Sequence, residues 1–346
     1  MSSSNNPTIA IVGATGAVGR EMLSVLAQRH FPVGEFRLLA SARSAGSRIG
    51  FNGDEIEVRE LDEDSFDGCD FALFSAGASI SRKFAPIAVE RGCTVIDNSS
   101  AFRMTDGVPL VIPEINDDAL DELDGPGIVA VPNCSTIIAL MAVTPLYDAV
   151  GLERMVVSTY QAASGAGAAA MAELQQQARD FAADAPFKTD IFGRQYLFNL
   201  FSHNSAIGED GYNTEETKMV QETHKIWGDD SVGITATCVR VPVLRAHCES
   251  INLTFRKPLS EDAAREILSS APGVRVVDDR KANRFPEPIN ASGIDEVLVG
   301  RIRADYSQSP HMGLNLFVAG DQLRKGAALD AVQIAECMLE RRAARV

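Results

Sequence analysis

Thr8-Ile-Ala-Ile-Val12-Gly13-Ala-Thr15-Gly16-Ala17-Val18-Gly19-Arg-Glu is the stretch that decides how this chain folds. A short β-forming run enters three glycines, and an amphipathic stretch, Val18–Gln28, follows. Glycines in this setting let the backbone turn tightly, approach a pyrophosphate and pack the helix on the sheet. The helix N-terminus adds N–H groups and a partial positive charge. The spacing is G-x-x-G-x-x-G and not the common G-x-G-x-x-G, so the strand before and the helix after give it meaning. On this reading Gly13, Thr15, Gly16, Ala17, Val18 and Gly19 form a dinucleotide loop.

Outward from that loop, strand-like runs recur at Arg37–Ala40, Glu55–Glu57, Phe71–Phe74, Thr94–Asn98 and Ile128–Val131, with a helical pattern at Ser81–Arg91. The alternation predicts βαβ units and a doubly wound, mostly parallel Rossmann-type α/β domain. Past Pro132 the strands lengthen, at Met155–Ala162, Thr235–Val241, Ser250–Phe255 and Leu314–Val318, and an Ala- and Gln-rich helix lies near Ala168–Ala182. These predict an α+β second domain with a mixed sheet. The segment 180–213, rich in Phe, Asn and Gly, is the most irregular, and Gly326–Arg342 reads as a helix returning to the first domain. The expected division is 1–132 with 326–346 for the nucleotide and 133–325 for catalysis and dimerisation.

Composition narrows the partners. Apolar residues make 45% of the 346 and charged residues 23%, a globular balance. The formal charge of −15 argues against a nucleic-acid partner, which would need a basic face. The start, Met1 to Pro7, is polar and lacks a signal-peptide pattern, and no apolar window spans a bilayer, so a cytoplasmic protein without membrane contact is expected. Cysteines at 69, 93, 134, 238, 248 and 337 lack Cys-x-x-Cys spacing, which predicts neither a metal site nor a disulfide scaffold.

Cofactor choice is read at the end of the second strand. An acid there would hold a ribose 2′-hydroxyl, but the chain has Ser41-Ala-Arg43-Ser44. Two hydroxyls and a guanidinium suit a 2′-phosphate, so NADP is expected. Val131-Pro-Asn133-Cys134-Ser-Thr places a thiol where a strand ends and an apolar helix begins. The helix dipole and its N–H groups favour the reactive thiolate. On local sequence alone a buried packing thiol fits equally well. The loop Tyr160-Gln161-Ala-Ala-Ser164-Gly165-Ala-Gly167 has the glycines of a segment that approaches a ligand. Arg240 and His247, seven apart, could face one pocket if the chain bends at Pro242, though a surface charge and a satisfied histidine are the blander reading. Thiolate, histidine and arginine are the parts of thioester chemistry on an anionic substrate.

Eight blocks in order make the chain recognisable: G-A-T-G-A-V-G at 13–19, F-S-A-G at 74–77, D-N-S-S-A-F-R at 97–103, P-N-C-S-T at 132–136, Y-Q-A-A-S-G-A-G at 160–167, E-E-T-K at 215–218, R-V-P-V-L-R-A-H at 240–247 and L-R-K-G-A-A at 323–328. Over nearly its whole length the chain resembles the aspartate-semialdehyde dehydrogenases. The resemblance implies reductive dephosphorylation of L-aspartyl 4-phosphate to L-aspartate 4-semialdehyde, serving lysine, diaminopimelate, methionine and threonine biosynthesis. It implies Cys134 as nucleophile, His247 as general acid/base with its ordinary pKa near neutrality, and Gln161 as the residue orienting the acyl group. It assigns Arg240 to the substrate carboxylate, Glu215 to its ammonium, Arg103 and Lys218 to phosphate, and Asn133 to the substrate beside the cysteine. Cofactor contacts fall on the glycine loop, Ser41, Arg43, Ser44, Ser75, Ala76, Gly77, Ser164, Gly165 and Gln322. Gln322 departs from the family, which usually carries Asn there. A homodimer or homotetramer is implied. An N-acetylglutamyl-phosphate reductase and a non-catalytic homologue of the same fold are the alternatives. His30, His203, His224 and His311 read as surface or supporting residues.

Overall fold

A computed structural model describes residues 6–344, so most of the polar start at 1–7 lies outside the described residues. The chain forms two compact units, Met1–Asn133 with Ala327–Val346 and Cys134–Gly326.

The first unit begins with β1 (Thr8–Val12), α1 (Ala17–Gln28) and β2 (Glu35–Ala40), then adds a β3 (Arg48–Phe51) and β4 (Asp54–Glu60) ribbon. It continues through β5 (Phe71–Phe74), α2 (Ala78–Glu90), β6 (Thr94–Asp97), the short α3 (Pro113–Asn116) and β7 (Ile128–Ala130). The sheet runs β3-β4-β2-β1-β5-β6-β7, parallel except for the edge pair β3–β4. Ile9 to Val12 and Phe71 to Phe74 are wholly buried, as expected of strands covered on both faces. The edge strand β3 carries no marked apolar run and went unpredicted.

The second unit opens with α4 (Cys134–Val150) and β8 (Leu152–Gln161), followed by α5 (Ala168–Ala182), β9 (Phe201–Ser202), α6 (Thr214–Trp227) and β10 (Gly233–Arg240). It then adds β11 (His247–Phe255), α7 (Glu261–Ser270), β12 (Val274–Val276), α8 (Pro288–Ala291), β13 (Val297–Ala304) and β14 (Gly313–Gly320). Its sheet is mixed, in the order β12-β13-β14-β11-β8-β10-β9. Residues 135–144 of α4 are all buried, because sheet strands lie on one side of the helix and α6 and α7 pack on others. A helix apolar all round is one with no face left for water. Gly320 permits the close approach: a Cβ there would come within 2.8 Å of Ile138 Cγ1.

The C-terminal helix, α9 (Leu329–Ala344), follows a π-helical turn at Arg324–Ala328 and belongs to the first unit. It packs on α1 and β6, with Arg29 paired to Glu336 at 2.6 Å and Arg341 to Asp117 at 3.1 Å. Among the described residues, no helix is long and apolar enough to cross a membrane.

Candidate active site

In the first unit the glycine loop sits at the C-terminal end of β1, where the sheet divides toward β2 on one side and β5 on the other. Gly13 N–H donates to Leu39 O at 2.8 Å, and Ser75 N–H donates to Val12 O at 2.8 Å. Gly13 holds φ +90°, and a Cβ there would stand 3.0 Å from Ser75 Oγ. A Cβ at Gly19 would overlap Gly13 O, so only glycine lets α1 lie this close to the loop. Gly16 and Gly77 precede α1 and α2, and neither helix start has a capping side chain. Two sets of first-turn N–H groups therefore stand at the switch point, an arrangement that fits a pyrophosphate. Thr15 precedes Gly16 in the loop, Ala17 and Val18 start α1, and Ala76 precedes Gly77. Ser41, Arg43 and Ser44 form the turn just past β2, where Ser44 N–H closes on Ser41 O at 2.8 Å and Arg43 is exposed.

Arg103 is also in this unit. Buried, it donates from Nε to Val131 O and from Nη2 to Asn98 O, both at 2.9 Å. Those bonds fix the guanidinium against the strand end that leads to the buried Asn133.

The second unit holds the rest. Arg240 ends β10, Gln161 ends β8, and the two are register partners. Cys248 pairs with Tyr160 and Glu249 with Thr159, so the same register sets His247 opposite Gln161. Arg240, Gln161 and His247 are thus one rung across three adjacent strands, on one face of the sheet. The bend at Pro242 was the expected cause of their convergence; strand register is what aligns them. Over this face come two helix starts. Gln161 Nε2 donates to Ser135 Oγ at 2.5 Å, in the first turn of α4, and to Glu215 Oε1 at 3.1 Å, in the first turn of α6.

Glu215 is buried, and its other oxygen accepts from Lys218 Nζ at 3.1 Å. The expected i,i+3 relation is realised because a capping box starts α6: Glu216 N–H donates to Asn213 Oδ1 at 3.0 Å, and Asn213 N–H to Glu216 Oε2 at 2.9 Å.

Cys134, half-buried, is the first residue of α4, and a Cβ at Gly326 would come within 2.8 Å of its Cβ. The Arg240 guanidinium lies within electrostatic reach of both Cys134 and Glu215; burial is nonetheless the largest effect and holds its pKa below the usual arginine value.

Burial, then Arg240, pushes His247 below its ordinary value, to about 3. Its Nδ1 accepts the Ala162 N–H at 3.0 Å, so the proton of the neutral ring is on Nε2, which meets no acceptor among the described residues. Gln322 is bonded at both ends of its amide. Its Oε1 accepts from Ala246 N–H at 3.0 Å and its Nε2 donates to Ser164 Oγ, so both ends of the amide brace the loop and turn around His247. Ser164 and Gly165 stand on that loop, and a Cβ at Gly165 would come within 2.8 Å of His247 Nε2 and 3.1 Å of Arg240 Nη1.

Two residues escaped the sequence reading. His203, taken as a supporting or surface residue, is 2.7 Å from Arg240 Nη2. No periodicity in the 180–213 segment marks it. Glu249 is wholly buried, with neither carboxyl oxygen bonded to a donor among the described residues. Here a signal existed: it lies two residues after His247 in a strand, hence on the same face.

Fold and site together define an oxidoreductase of the semialdehyde dehydrogenase class. Residues 8–123 match the family model described as the semialdehyde dehydrogenase NAD binding domain, and residues 143–325 match the semialdehyde dehydrogenase dimerisation domain. The chain is 51% identical to the aspartate-semialdehyde dehydrogenase of Synechocystis, over 96% of this chain and 97% of that one. It is 49% identical to that of Aquifex aeolicus, over 96% and 98%. The crystal structure of Vibrio cholerae aspartate semialdehyde dehydrogenase II complexed with ASA superposes with a TM-score of 0.93 at 44% identity, covering 97% of this chain and 99% of that one. The chain belongs to the aspartate-semialdehyde dehydrogenase family.

Proposed function

We propose that the chain reduces L-aspartyl 4-phosphate to L-aspartate 4-semialdehyde through a thioester on Cys134, with NADP as its cofactor. The observation that carries this reading is the rung Arg240–Gln161–His247 beneath the first turns of α4 and α6. It sets a guanidinium, an amide and a neutral imidazole in a line on the unit that begins with the cysteine, and these groups support the reading.

Cys134 sulfur forms the bond to the acyl carbon, the carbon–oxygen bond to phosphate breaks, and the thiol proton leaves with the phosphate. NADPH, held by the glycine loop and the turn after β2, would supply the hydride for reduction of the thioester. His247 Nε2–H donates to the oxygen that becomes negative. When that oxygen reforms its carbonyl, the carbon–sulfur bond breaks and Cys134 takes up a proton from solvent. Arg240 forks the α-carboxylate, and Glu215 receives the ammonium. Lys218 and Arg103 hold the phosphate, Asn133 borders the substrate beside the sulfur, and Gln161 orients the acyl group. Preorganised donors of this kind act without reorganising during the reaction.

Gly13, Gly16, Gly19, Ser75 and Gly77 fit the pyrophosphate. Ser41, Arg43 and Ser44, with no acid among them, suit a 2′-phosphate. The assembly we propose is a homodimer or homotetramer in the cytoplasm.

A phosphate-dependent assay on aspartate semialdehyde tests the reading: wild type turns over with NADP, and Cys134→Ala does not. Normal turnover by Cys134→Ala would overturn it.

A further inference from the structure

We propose that His203 is a positioning residue that locks the Arg240 guanidinium and thereby sets the preference for substrates bearing an α-carboxylate. The proposal rests on the reading of Arg240 as the carboxylate anchor.

Arg240 is buried at the end of β10. Three of its five N–H groups are directed at protein partners: Nε to Asn204 Oδ1 at 3.2 Å, Nη1 to Ala162 O at 3.2 Å, and Nη2 to His203 Nε2 at 2.7 Å. One N–H on each terminal nitrogen is left for a ligand. The Phe192 ring lies 5.9 Å from the guanidinium centre.

Guanidinium only donates, so His203 Nε2 is the acceptor and Nδ1 carries the proton. Nδ1 then donates to Ser205 Oγ at 3.0 Å; the Ser205 N–H, 3.3 Å from Nδ1, is the excluded alternative. Ser205 Oγ in turn reaches Asn213 Oδ1 at 3.4 Å and accepts Glu215 N–H at 3.2 Å. The imidazole therefore links the carboxylate anchor to the helix start that carries Glu215.

The backbone is pinned as well. His203 N–H donates to Cys238 O at 2.9 Å, and β9 pairs with the last residues of β10. Burial pushes His203 down to about 4, which keeps the ring a neutral acceptor at physiological pH. A guanidinium held on three sides presents its remaining N–H groups in one orientation, and orientation is what a bidentate carboxylate contact requires.

The test compares L-aspartate 4-semialdehyde with 3-aminopropanal, which lacks the carboxylate, in the phosphate- and NADP-dependent direction. His203→Ala should raise KM for aspartate semialdehyde by roughly 10- to 100-fold, the scale of losing a hydrogen bond to a charged group. The kcat, the phosphate KM and kcat/KM for 3-aminopropanal should stay within about threefold of wild type, an allowance below the scale of one such bond. His203→Asn, which keeps an acceptor, should restore most of the loss, and His203→Leu serves if the alanine variant does not fold. Equal losses on both substrates, or no rise in KM, would overturn the proposal. Arg240→Leu separates the two levels. If it leaves discrimination between the substrates intact, the carboxylate reading itself fails. If it abolishes discrimination while His203→Ala spares it, only the role of His203 fails.

Discussion

Nδ1 of His247 accepts the backbone N–H of Ala162 at 3.0 Å, and this single bond fixes which nitrogen of the neutral ring carries the proton. Protonating Nδ1 would set two N–H groups against each other, so the bond and the burial of the ring both hold it neutral. Ring-nitrogen NMR should therefore show one tautomer, protonated at Nε2, unchanged between pH 5 and 9. His247→Ala should lower kcat by about 10²–10³-fold, the scale for losing one donor to a developing oxyanion. An imidazole titrating near 6.5 would sink this account.

Gly165 and Gly326 are tight against the machinery from opposite ends of the second unit's sequence. A methyl at Gly165 meets His247 Nε2 and Arg240 Nη1; one at Gly326 meets Cys134 Cβ. Each alanine variant should fold, with unchanged far-ultraviolet circular dichroism, and lose at least tenfold in kcat/KM, in line with an overpacking cost of about 1–3 kcal/mol. Wild-type kinetics for both would show that the neighbouring groups yield freely.

Two buried histidines and a buried glutamate make stability depend on pH in opposite senses. His247 and His203 are pushed below 6.5, to about 3 and about 4, so the stability they permit is full above 6.5 and falls as pH drops toward those values. Glu249 is held above 4.5, first by burial and then by Glu215, so the unfolded chain ionises first and stability falls as pH rises past 4.5. Glu249→Gln should remove the second effect. In urea titrations its advantage over wild type should widen with pH above 4.5, with a slope approaching ~1.4 kcal/mol per pH unit. A pH-independent difference would show that Glu249 is ionised in the folded state.

Arg43 stands exposed on the turn after β2, the turn proposed to meet the 2′-phosphate. Arg43→Ala should reduce kcat/KM for NADPH by roughly 10- to 100-fold, the scale of losing a charged hydrogen bond, and leave NADH nearly unchanged. Equal effects on both cofactors would remove Arg43 from 2′-phosphate recognition.

The first unit was legible because its strands announce themselves in apolar runs separated by helix-length spacing. Phe71–Phe74 coincides with a strand of the structure, and Gly13 to Gly16 lies between β1 and α1, with Gly19 in the first turn of α1. Edges were harder. Arg48–Phe51 is an outer ribbon strand whose pairing, more than its composition, makes it β, and the predicted Glu55–Glu57 proved to be the middle of Asp54–Glu60. In the second unit Arg240 and His247 were visible as residues, while their alignment was not, because register between distant strands is set by the packed sheet and not by spacing along the chain. His203 was hidden for a related reason: it acts through Arg240, a residue 37 positions away.

The rung also works as a ruler. Neighbouring strands stand ~4.8 Å apart, so the Cα atoms of Arg240 and His247 are separated by two graduations, roughly 10 Å, that no loop movement can reset. Under the roles proposed for Arg240 and His247, side-chain changes at the rung would alter what is gripped and leave its spacing the same. An acyl phosphate with one more methylene between carboxylate and reacting carbon should then be the poorer substrate of this chain.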